Sequence, residues 1–269
     1  MGCPAAAMRL LVVIAAARGA VFNESSRRHC TEAELEHLRT DKNAELHEVL
    51  SAVHGPRCGG FFIESGANNG RNSVTRNFEG AGWRGICVEP SPVLFQLLQR
   101  YRPLCENHNV ALFGERREMV YRERGAAFSP EAARVIANGR YGGALKDHSG
   151  LEEMRTPKLW AKMEAAHPNA SRRDHTILAR PVDDVLGGAR NHVDLYSLDV
   201  EGAELSILEH FPFDKIVVEL WFVETNKLDR VAFVAFMESK GYSCHHYDHV
   251  NSLCQLNKHR FGHHGTPPA

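Results

Sequence analysis

The chain has 269 residues, of which 43% are hydrophobic, so it can bury one sizeable core and is expected to form one main domain. Its 32 basic and 33 acidic residues leave a formal net charge of -1. Proteins that bind nucleic acids usually carry a clustered basic excess, so this balance argues against nucleic acid as the main partner.

Residues 1–20 are predicted to be a secretory signal segment. Arg9 precedes a short apolar run over residues 10–17, and small side chains follow at Ala17 and Gly19. This order is typical of a secretory signal, with cleavage expected after Gly19. The run is shorter than the about 20 apolar residues of a membrane-spanning helix, so no transmembrane segment is predicted. We therefore expect a protein of the secretory pathway; an organellar or cytoplasmic location is the alternative.

The cysteines offer a way to examine that expectation. Loss of Cys3 with the signal segment would leave six, an even number that permits disulfides in an oxidising compartment. Cys244 and Cys254 lie symmetrically about His249. A hairpin centred on His249 would place the two cysteines opposite each other, within disulfide range. The alternative is that both are free and pack as small apolar residues.

Ahead of the main domain, residues 21–59 are predicted to form a helical extension. Thr31 and Glu34 have the spacing of a capping box, and an apolar stripe continues to Val53.

Residues 60–257 are predicted to form a doubly wound α/β domain. Short apolar runs alternate with helical segments, which is typical of βαβ units around a mostly parallel sheet. The runs are residues 61–63, 86–88, 109–113, 193–198 and 216–222, and the helices are residues 73–80, 92–102, 204–210 and 228–240. An insertion is expected at about residues 125–175, with helices near 130–137 and 158–165. A hairpin over 243–247 and 252–256 precedes a polar tail, residues 258–269.

Polar residues follow three of these strands. The first strand ends in a glycine-containing turn, Glu64 to Gly70, which would let a ligand approach the backbone closely. Glu89 ends the second strand, where an acidic side chain can accept hydrogen bonds from ribose hydroxyls. The turn is not a dinucleotide fingerprint, because Ser65 precedes Gly66 and Asn68 replaces the second glycine.

The segment Asp199 to Glu204 follows the fourth strand and carries three carboxylates. If the first and fourth strands are neighbours, these acids face the glycine turn across the crevice at the strand ends. They could hold a sulfonium group, a metal or an acceptor proton. Glu204 is interpreted as favouring the N-terminus of the following helix, which leaves Asp199 and Glu201 for chemistry.

Together these motifs resemble the FkbM-type S-adenosylmethionine-dependent methyltransferases. The resemblance extends over residues 60–257 and includes the segment from Pro181 to Leu186; Glu64 stands where the family more often has an aspartate. It implies a class I methyltransferase fold, with a seven-stranded, mostly parallel sheet and a reversed strand near the C-terminus. It also implies S-adenosylmethionine as cofactor and oxygen as the usual methyl acceptor.

The resemblance assigns residues to the cofactor. It places Glu64, Gly66, Asn68 and Gly70 around the methionine part, Glu89 at the ribose, and Asn109 to Ala111 near the adenine.

A hydroxyl acceptor must lose a proton, and Asp199 or Glu201 is predicted to be the catalytic base. Histidines of the insertion, His148, His167 and His175, are the alternatives. No metal site is predicted, because the nearby histidines of residues 245–249 are interpreted as a polar hairpin tip.

The sequence therefore predicts an O-methyltransferase acting on a small-molecule or glycan hydroxyl, with no nucleic acid partner. One alternative is a non-catalytic interaction protein of the secretory pathway that retains the fold. Another is a nicotinamide-dependent oxidoreductase, against which the missing second glycine and the 199–204 motif both argue.

Overall fold

The computed structural model describes residues 28–39, 46, 48–50, 57–71, 73–124, 149–166, 172–187 and 190–257. The predicted signal segment 1–20, the helix near 130–137, His148, His167 and the tail 258–269 lie outside the described residues. Of the predicted helix over 31–53, α1 covers Glu32–Arg39, and residues 46 and 48–50 are also helical.

A seven-stranded sheet forms the centre of the molecule, in the order β12-β13-β11-β10-β3-β4-β5. All neighbouring strands are parallel except at β13, which runs antiparallel to both β11 and β12. The predicted mostly parallel sheet with a reversed strand near the C-terminus is therefore confirmed. Its strands are β3 (Phe61–Ser65), β4 (Arg84–Val88), β5 (Glu106–His108), β10 (His192–Leu198), β11 (Val217–Glu224), β12 (Tyr242–His246) and β13 (Asn251–Leu256).

The strand sequences explain why this sheet is covered on both faces. On β10, Leu195 and Tyr196 point to opposite faces, and both are fully buried. Tyr196 stacks on Trp221 of β11 with ring centroids 4.5 Å apart, whereas Leu195 belongs to the core of the other face with Phe62. Burial on both sides is the reason that these strands read as continuous apolar runs.

Helices connect the strands, and the predicted helices at 73–80, 92–102, 158–165, 204–210 and 228–240 are each present within a few residues. Asp229 caps the helix before β12 by accepting hydrogen bonds from Val231 N and Ala232 N at 3.0 and 3.1 Å. Besides α1, the helices are α2 (Arg76–Gly80), α3 (Pro92–Tyr101), α4 (Pro157–Ala166), α5 (Val182–Leu186), α6 (Glu204–Glu209) and α7 (Arg230–Ser239).

A second sheet of four strands, in the order β6-β9-β7-β8, was not predicted. Its members are β6 (Ala111–Leu112), β7 (Arg117–Arg124), β8 (Gly150–Leu151) and β9 (Arg172–Arg180). The outer positions of β7 and β9 are rich in charged residues, which conceals an alternation of buried residues: Met119 and Tyr121, Ile177 and Ala179.

The second sheet also corrects one predicted strand. The apolar run 109–113 is not the third strand of the central sheet, because Ala111 and Leu112 pair with β9 instead. The third strand is the polar edge strand β5, Glu106–His108, which pairs only with β4 in the central sheet. An edge strand of three half-exposed or exposed polar residues has no apolar run by which to recognise it.

The predicted C-terminal hairpin is confirmed, and Cys244 pairs directly with Cys254. The two residues form a disulfide with their Cα atoms 4.0 Å apart, as the symmetric hairpin predicted. Two further disulfides join Cys30 to Cys58 and Cys87 to Cys105. The first of these holds β1 (Arg28–His29) against β2 (Arg57–Cys58), just ahead of the central sheet.

Within the described ranges, no helix is both long enough and apolar enough to cross a membrane.

Candidate active site

The turn after β3 is shaped by a close approach to β10. Gly66 has φ of +81°, and a Cβ atom at this position would lie 1.8 Å from the main-chain oxygen of Asp199. Only glycine satisfies both conditions. Because β3 pairs with β10 in parallel, the turn and the acidic segment lie side by side at the carboxyl ends of these strands, as predicted.

Glu89 is held in one orientation at the end of β4. Glu89 is 3% exposed. Its two carboxylate oxygens accept hydrogen bonds from Asn68 N and Ser91 N, both at 2.8 Å. Each oxygen can accept further hydrogen bonds, and Glu89 lines the cleft described next.

A cleft opens at the carboxyl ends of β3, β4 and β10, and the second sheet forms its apolar wall. Four of the predicted cofactor-binding residues line it, together with both predicted catalytic residues. The lining residues are Gly66, Asn68, Val88, Glu89, Pro90, Leu94, Ala111, Leu112, Tyr121, Ser149, Leu151, Asp199, Val200, Glu201 and Ala203.

Three predicted cofactor residues do not line the cleft but support it. Gly70 packs against α3, where an added Cβ would lie 2.7 Å from Cγ of Arg102. Asn109 donates its side-chain amide to the main-chain oxygens of Glu89 and Pro90, at 2.8 and 3.1 Å. It therefore fixes the turn that carries Glu89.

Glu64 is the third, and its carboxylate is directed to the loop beneath the cleft; its place beside the methionine part of the cofactor stays a prediction. The residue is 2% exposed, and its carboxylate accepts hydrogen bonds from Val74 N at 2.6 Å and Arg102 Nη1 at 3.2 Å. The hydroxyls of Ser73 and Thr75 donate to the same carboxylate. A carboxylate with this many internal donors organises the loop beneath the cleft.

The acidic segment after β10 forms a compact charged cluster with the end of β11. Carboxylate oxygens of Asp199, Glu201 and Glu224 all lie within 4.8 Å of one another. Lys227 Nζ donates to Glu201 Oε2 at 2.5 Å and to Glu224 Oε2 at 2.7 Å. Arg155 Nη2 donates to the same Glu201 oxygen at 2.9 Å. An ammonium group thus lies where a metal ion would sit between Glu201 and Glu224.

Asp199 is electrostatically the most perturbed member of the cluster. It is open to the cleft, and none of the described residues donates a hydrogen bond to its carboxylate. Although Asp199 as a whole residue is exposed, the packing of protein around its carboxyl group and the like charges of Glu224 and Glu201 raise the pKa of Asp199 above its usual range. A carboxylate with a raised pKa is a stronger base, which suits proton abstraction.

Glu204 has the structural role expected of it. Its fully buried carboxylate accepts hydrogen bonds from Val200 N at 2.9 Å and Gly202 N at 3.0 Å. It thereby holds the loop between β10 and α6.

His175 is the one alternative base among the described residues, and it does not line the cleft. Its Nε2 lies 2.7 Å from Oε2 of the buried Glu123, and the other oxygen of Glu123 accepts a hydrogen bond from the Ser91 hydroxyl. This series of hydrogen bonds connects β9 to the start of α3.

A second group with metal-ligand chemistry lies at the amino ends of β10 and β11, where His192, Asp194 and Glu219 come together. Arg57 Nη1 lies 3.9 Å from each of the two carboxylates. His192 Nε2 is 2.8 Å from Glu219. These contacts make the group an ion-pair network that joins β2 to β10 and β11.

The sequence interpretation missed three charged residues of the site. Glu224 is the last residue of β11 and Lys227 follows it closely, so the rule that ligands bind at the carboxyl ends of strands would have found them. Arg155 carries no signal in the sequence, because it reaches Glu201 only through the packing of the second sheet.

Residues 64–244 match the family model of the methyltransferase FkbM domain. The match begins at the Glu64 turn and includes Glu89 and the acidic segment. The chain belongs to the FkbM methyltransferase family. It is a methyltransferase, and the class I fold that the resemblance implied is confirmed by the sheet order.

Solved structures similar to this FkbM-family chain are distant. They include precorrin-6y C5,15-methyltransferase from Geobacter metallireducens GS-15 (11% identity, TM-score 0.37, covering 86% of this chain and 95% of that chain). A protein from Thermoplasma acidophilum has 10% identity and a TM-score of 0.39, covering 85% and 96%. A proposed RNA methyltransferase from Pyrococcus horikoshii has 10% identity and a TM-score of 0.37, covering 87% and 95%. No curated protein matches the sequence significantly.

Proposed function

We propose that this FkbM-family methyltransferase transfers the methyl group of S-adenosylmethionine to a hydroxyl of a small molecule or glycan. The observation that carries the proposal is that a fixed carboxylate, Glu89, and a carboxylate with a raised pKa, Asp199, line one cleft.

The residues of the cleft suit S-adenosylmethionine. Glu89 is oriented by two backbone amides, so its remaining lone pairs can accept hydrogen bonds from both ribose hydroxyls. The apolar side chains of Leu94, Leu112 and Leu151 offer a wall for the adenine ring. The excess of carboxylates around Asp199 favours the positively charged sulfonium.

The chain's own contribution to the reaction is alignment and proton removal. The cofactor, when bound, supplies a methyl group that is already activated by the sulfonium. Methyl transfer by in-line displacement then depends mainly on holding the acceptor oxygen opposite the methyl group. Asp199 accepts the proton that the acceptor hydroxyl loses, and the high pKa of its carboxyl group makes it suitable for this step.

Isothermal titration of the purified protein with S-adenosylmethionine tests the cofactor, and incubation with methyl-labelled cofactor and a panel of hydroxyl-bearing acceptors tests the reaction. We expect saturable binding and label recovered as a methyl ether. Binding without transfer to any acceptor class would favour the non-catalytic alternative. Label recovered only on nitrogen would contradict oxygen as the acceptor.

We also propose that the protein enters the secretory pathway. The three disulfides support this, because disulfides persist mainly in oxidising compartments. N-terminal sequencing of protein made in a secreting host should find Ala20 as the first residue. Recovery only of uncleaved protein in the cytosol would contradict this location.

A further inference from the structure

Arg155 is a buried arginine beside the cleft, and its neighbours leave a space that fits its side chain. Its side chain is 4% exposed, and its guanidinium lies 5.1 Å from the ring centroid of Trp160. Gly150 leaves room for it, because an added Cβ there would lie 3.2 Å from Cζ of Arg155. Such a position for a fully charged side chain indicates a specific role for its hydrogen bonds.

Two of those hydrogen bonds go to Glu201, and Nη1 donates to the sulfur of Met163 at 3.8 Å. Arg155 Nε donates to the main-chain oxygen of Glu201 at 3.2 Å, and Nη2 donates to its carboxylate at 2.9 Å. Glu201 has φ of +62°, in the left-handed region that favours glycine. A non-glycine residue in a sparsely populated conformation costs about 1–3 kcal/mol and persists only where its surroundings hold it. Arg155 holds both the backbone and the side chain of this residue.

The consequence is a division of roles between two carboxylates that the sequence could not distinguish. Glu201 Oε2 accepts hydrogen bonds from both Arg155 and Lys227. Among the described side chains, none makes such a bond to the carboxylate of Asp199, which remains directed to the cleft.

We propose that Arg155 is a positioning residue for methyl transfer: it holds Glu201 in an ion pair so that Asp199 presents to the sulfonium and the acceptor a carboxylate that no described side chain hydrogen-bonds. This inference rests on the proposed function, since it assumes that S-adenosylmethionine occupies the cleft.

A positioning role and a purely electrostatic role for Arg155 predict opposite effects on binding of the cationic cofactor when its side chain is removed. If Arg155 acted only as a positive charge near the cleft, its loss would strengthen binding of the cationic cofactor. If it positions the loop, its loss lets the strained segment relax and moves Asp199, which weakens binding of the cation. The neutral product S-adenosylhomocysteine shares every other group with the cofactor, so it reports the rest of the site.

The experiment measures dissociation constants of S-adenosylmethionine and S-adenosylhomocysteine by isothermal titration for the wild-type protein, Arg155→Met, Arg155→Lys and Asp199→Asn. The matched control is Arg172→Met, because Arg172 is a half-exposed arginine of the second sheet that pairs with Asp174 at 2.7 Å. If Arg155→Met does not fold, Glu201→Gln replaces it in the experiment. This variant removes the charge of the Glu201 side chain but keeps the main-chain oxygen to which Arg155 donates.

For Arg155→Met, we expect affinity for S-adenosylmethionine to fall about five- to tenfold relative to affinity for S-adenosylhomocysteine, the scale of one charge interaction near a surface. Asp199→Asn should show the same loss, Arg155→Lys should recover part of it, and Arg172→Met should leave the ratio unchanged. An unchanged or increased preference for the cation in Arg155→Met would overturn the inference. Failure of the wild-type protein to bind either ligand would instead contradict the proposed function.

Discussion

At the scale of single residues, the surroundings of each carboxylate determine its role. Glu64 and Glu89 occupy comparable positions at or near the ends of neighbouring strands. Glu64 is surrounded by internal donors, including Arg102, whereas Glu89 has two backbone amides and the cleft. A buried carboxylate must be compensated by hydrogen bonds, and only one whose donors leave lone pairs toward the cleft can also bind a ligand.

Glu89→Ala should weaken binding of S-adenosylmethionine by about 1.5–3 kcal/mol, the usual contribution of a charged hydrogen-bond acceptor. Glu89→Gln, which keeps the shape but loses the charge, should weaken it less. Titration calorimetry measures both, and Glu106→Ala, which removes a half-exposed acid of β5, is the control. Unchanged affinity in Glu89→Ala would contradict the ribose assignment.

Substitution of two glycines by alanine distinguishes the energetic cost of a left-handed backbone conformation from that of a steric clash. Gly66 and Gly187 both have positive φ, but an added Cβ at Gly187 meets no atom within 4 Å. Gly187→Ala should therefore lose only about 1 kcal/mol of unfolding free energy, the cost of the left-handed conformation. Gly66→Ala should lose at least about 2 kcal/mol more, because it also forces the turn away from β10. Denaturant unfolding compares them, and equal losses would show that the close approach does not constrain position 66.

At the scale of elements, the second sheet completes the wall of the cleft, and the C-terminal hairpin completes the central sheet beside β11. The second sheet contributes Tyr121 and Leu151 to the cleft wall, and Arg155 follows its strand β8 by a few residues. The hairpin covers the edge of the central sheet at β11, and its two strands are joined through Cys244 and Cys254. Local pairing stabilises the hairpin, whereas the second sheet depends on pairing between strands far apart in the chain.

Non-reducing peptide mapping should recover a linked peptide that contains Cys244 and Cys254, and reduction should separate it. Replacing both by alanine should lower the free energy of unfolding by about 2–3 kcal/mol, since a short closed loop restricts the unfolded chain. Both thiols recovered alkylated from secreted, unreduced protein would contradict the bridge and weaken the case for the secretory pathway.

At the scale of the whole molecule, the active site assembles from segments far apart in the chain. The turn after β3, the turn after β4 and the loops after β10 and β11 meet because their strands are adjacent and parallel. The cleft is therefore present only when the sheet is complete, and a ligand that binds there stabilises the fold as a unit.

S-adenosylmethionine at about one hundred times its dissociation constant should stabilise the folded state by about 2.7 kcal/mol. For a chain of this size, that corresponds to a rise in Tm of about 5–10 °C. Thermal unfolding followed by circular dichroism measures the shift, and Glu89→Ala at the same ligand concentration should show a smaller one. No shift in the wild-type protein at that concentration would contradict binding of the cofactor to the folded protein, and an equal shift in Glu89→Ala would place the cofactor outside this cleft.

The sequence by itself determined the central sheet except for its edge strand β5, the hairpin and the main features of the cleft. Strands buried on both faces require continuous apolar runs, and such runs are visible at β3, β4, β10 and β11. Gly66 and Glu89 could be selected because backbone approach and ribose recognition each demand a particular residue type at a strand end. The symmetry of Cys244 and Cys254 about His249 likewise depends only on local spacing.

Only the tertiary structure decided which carboxylate does what. Glu64 turned inward because Arg102, which directly follows α3, lies beneath the turn. Glu201 is held in place because Arg155 reaches it from beyond the second sheet. The charged strands β7 and β9 formed that sheet by pairing with each other across the insertion. Each of these outcomes depends on the identity of a partner remote in the chain, which local pattern and propensity do not specify.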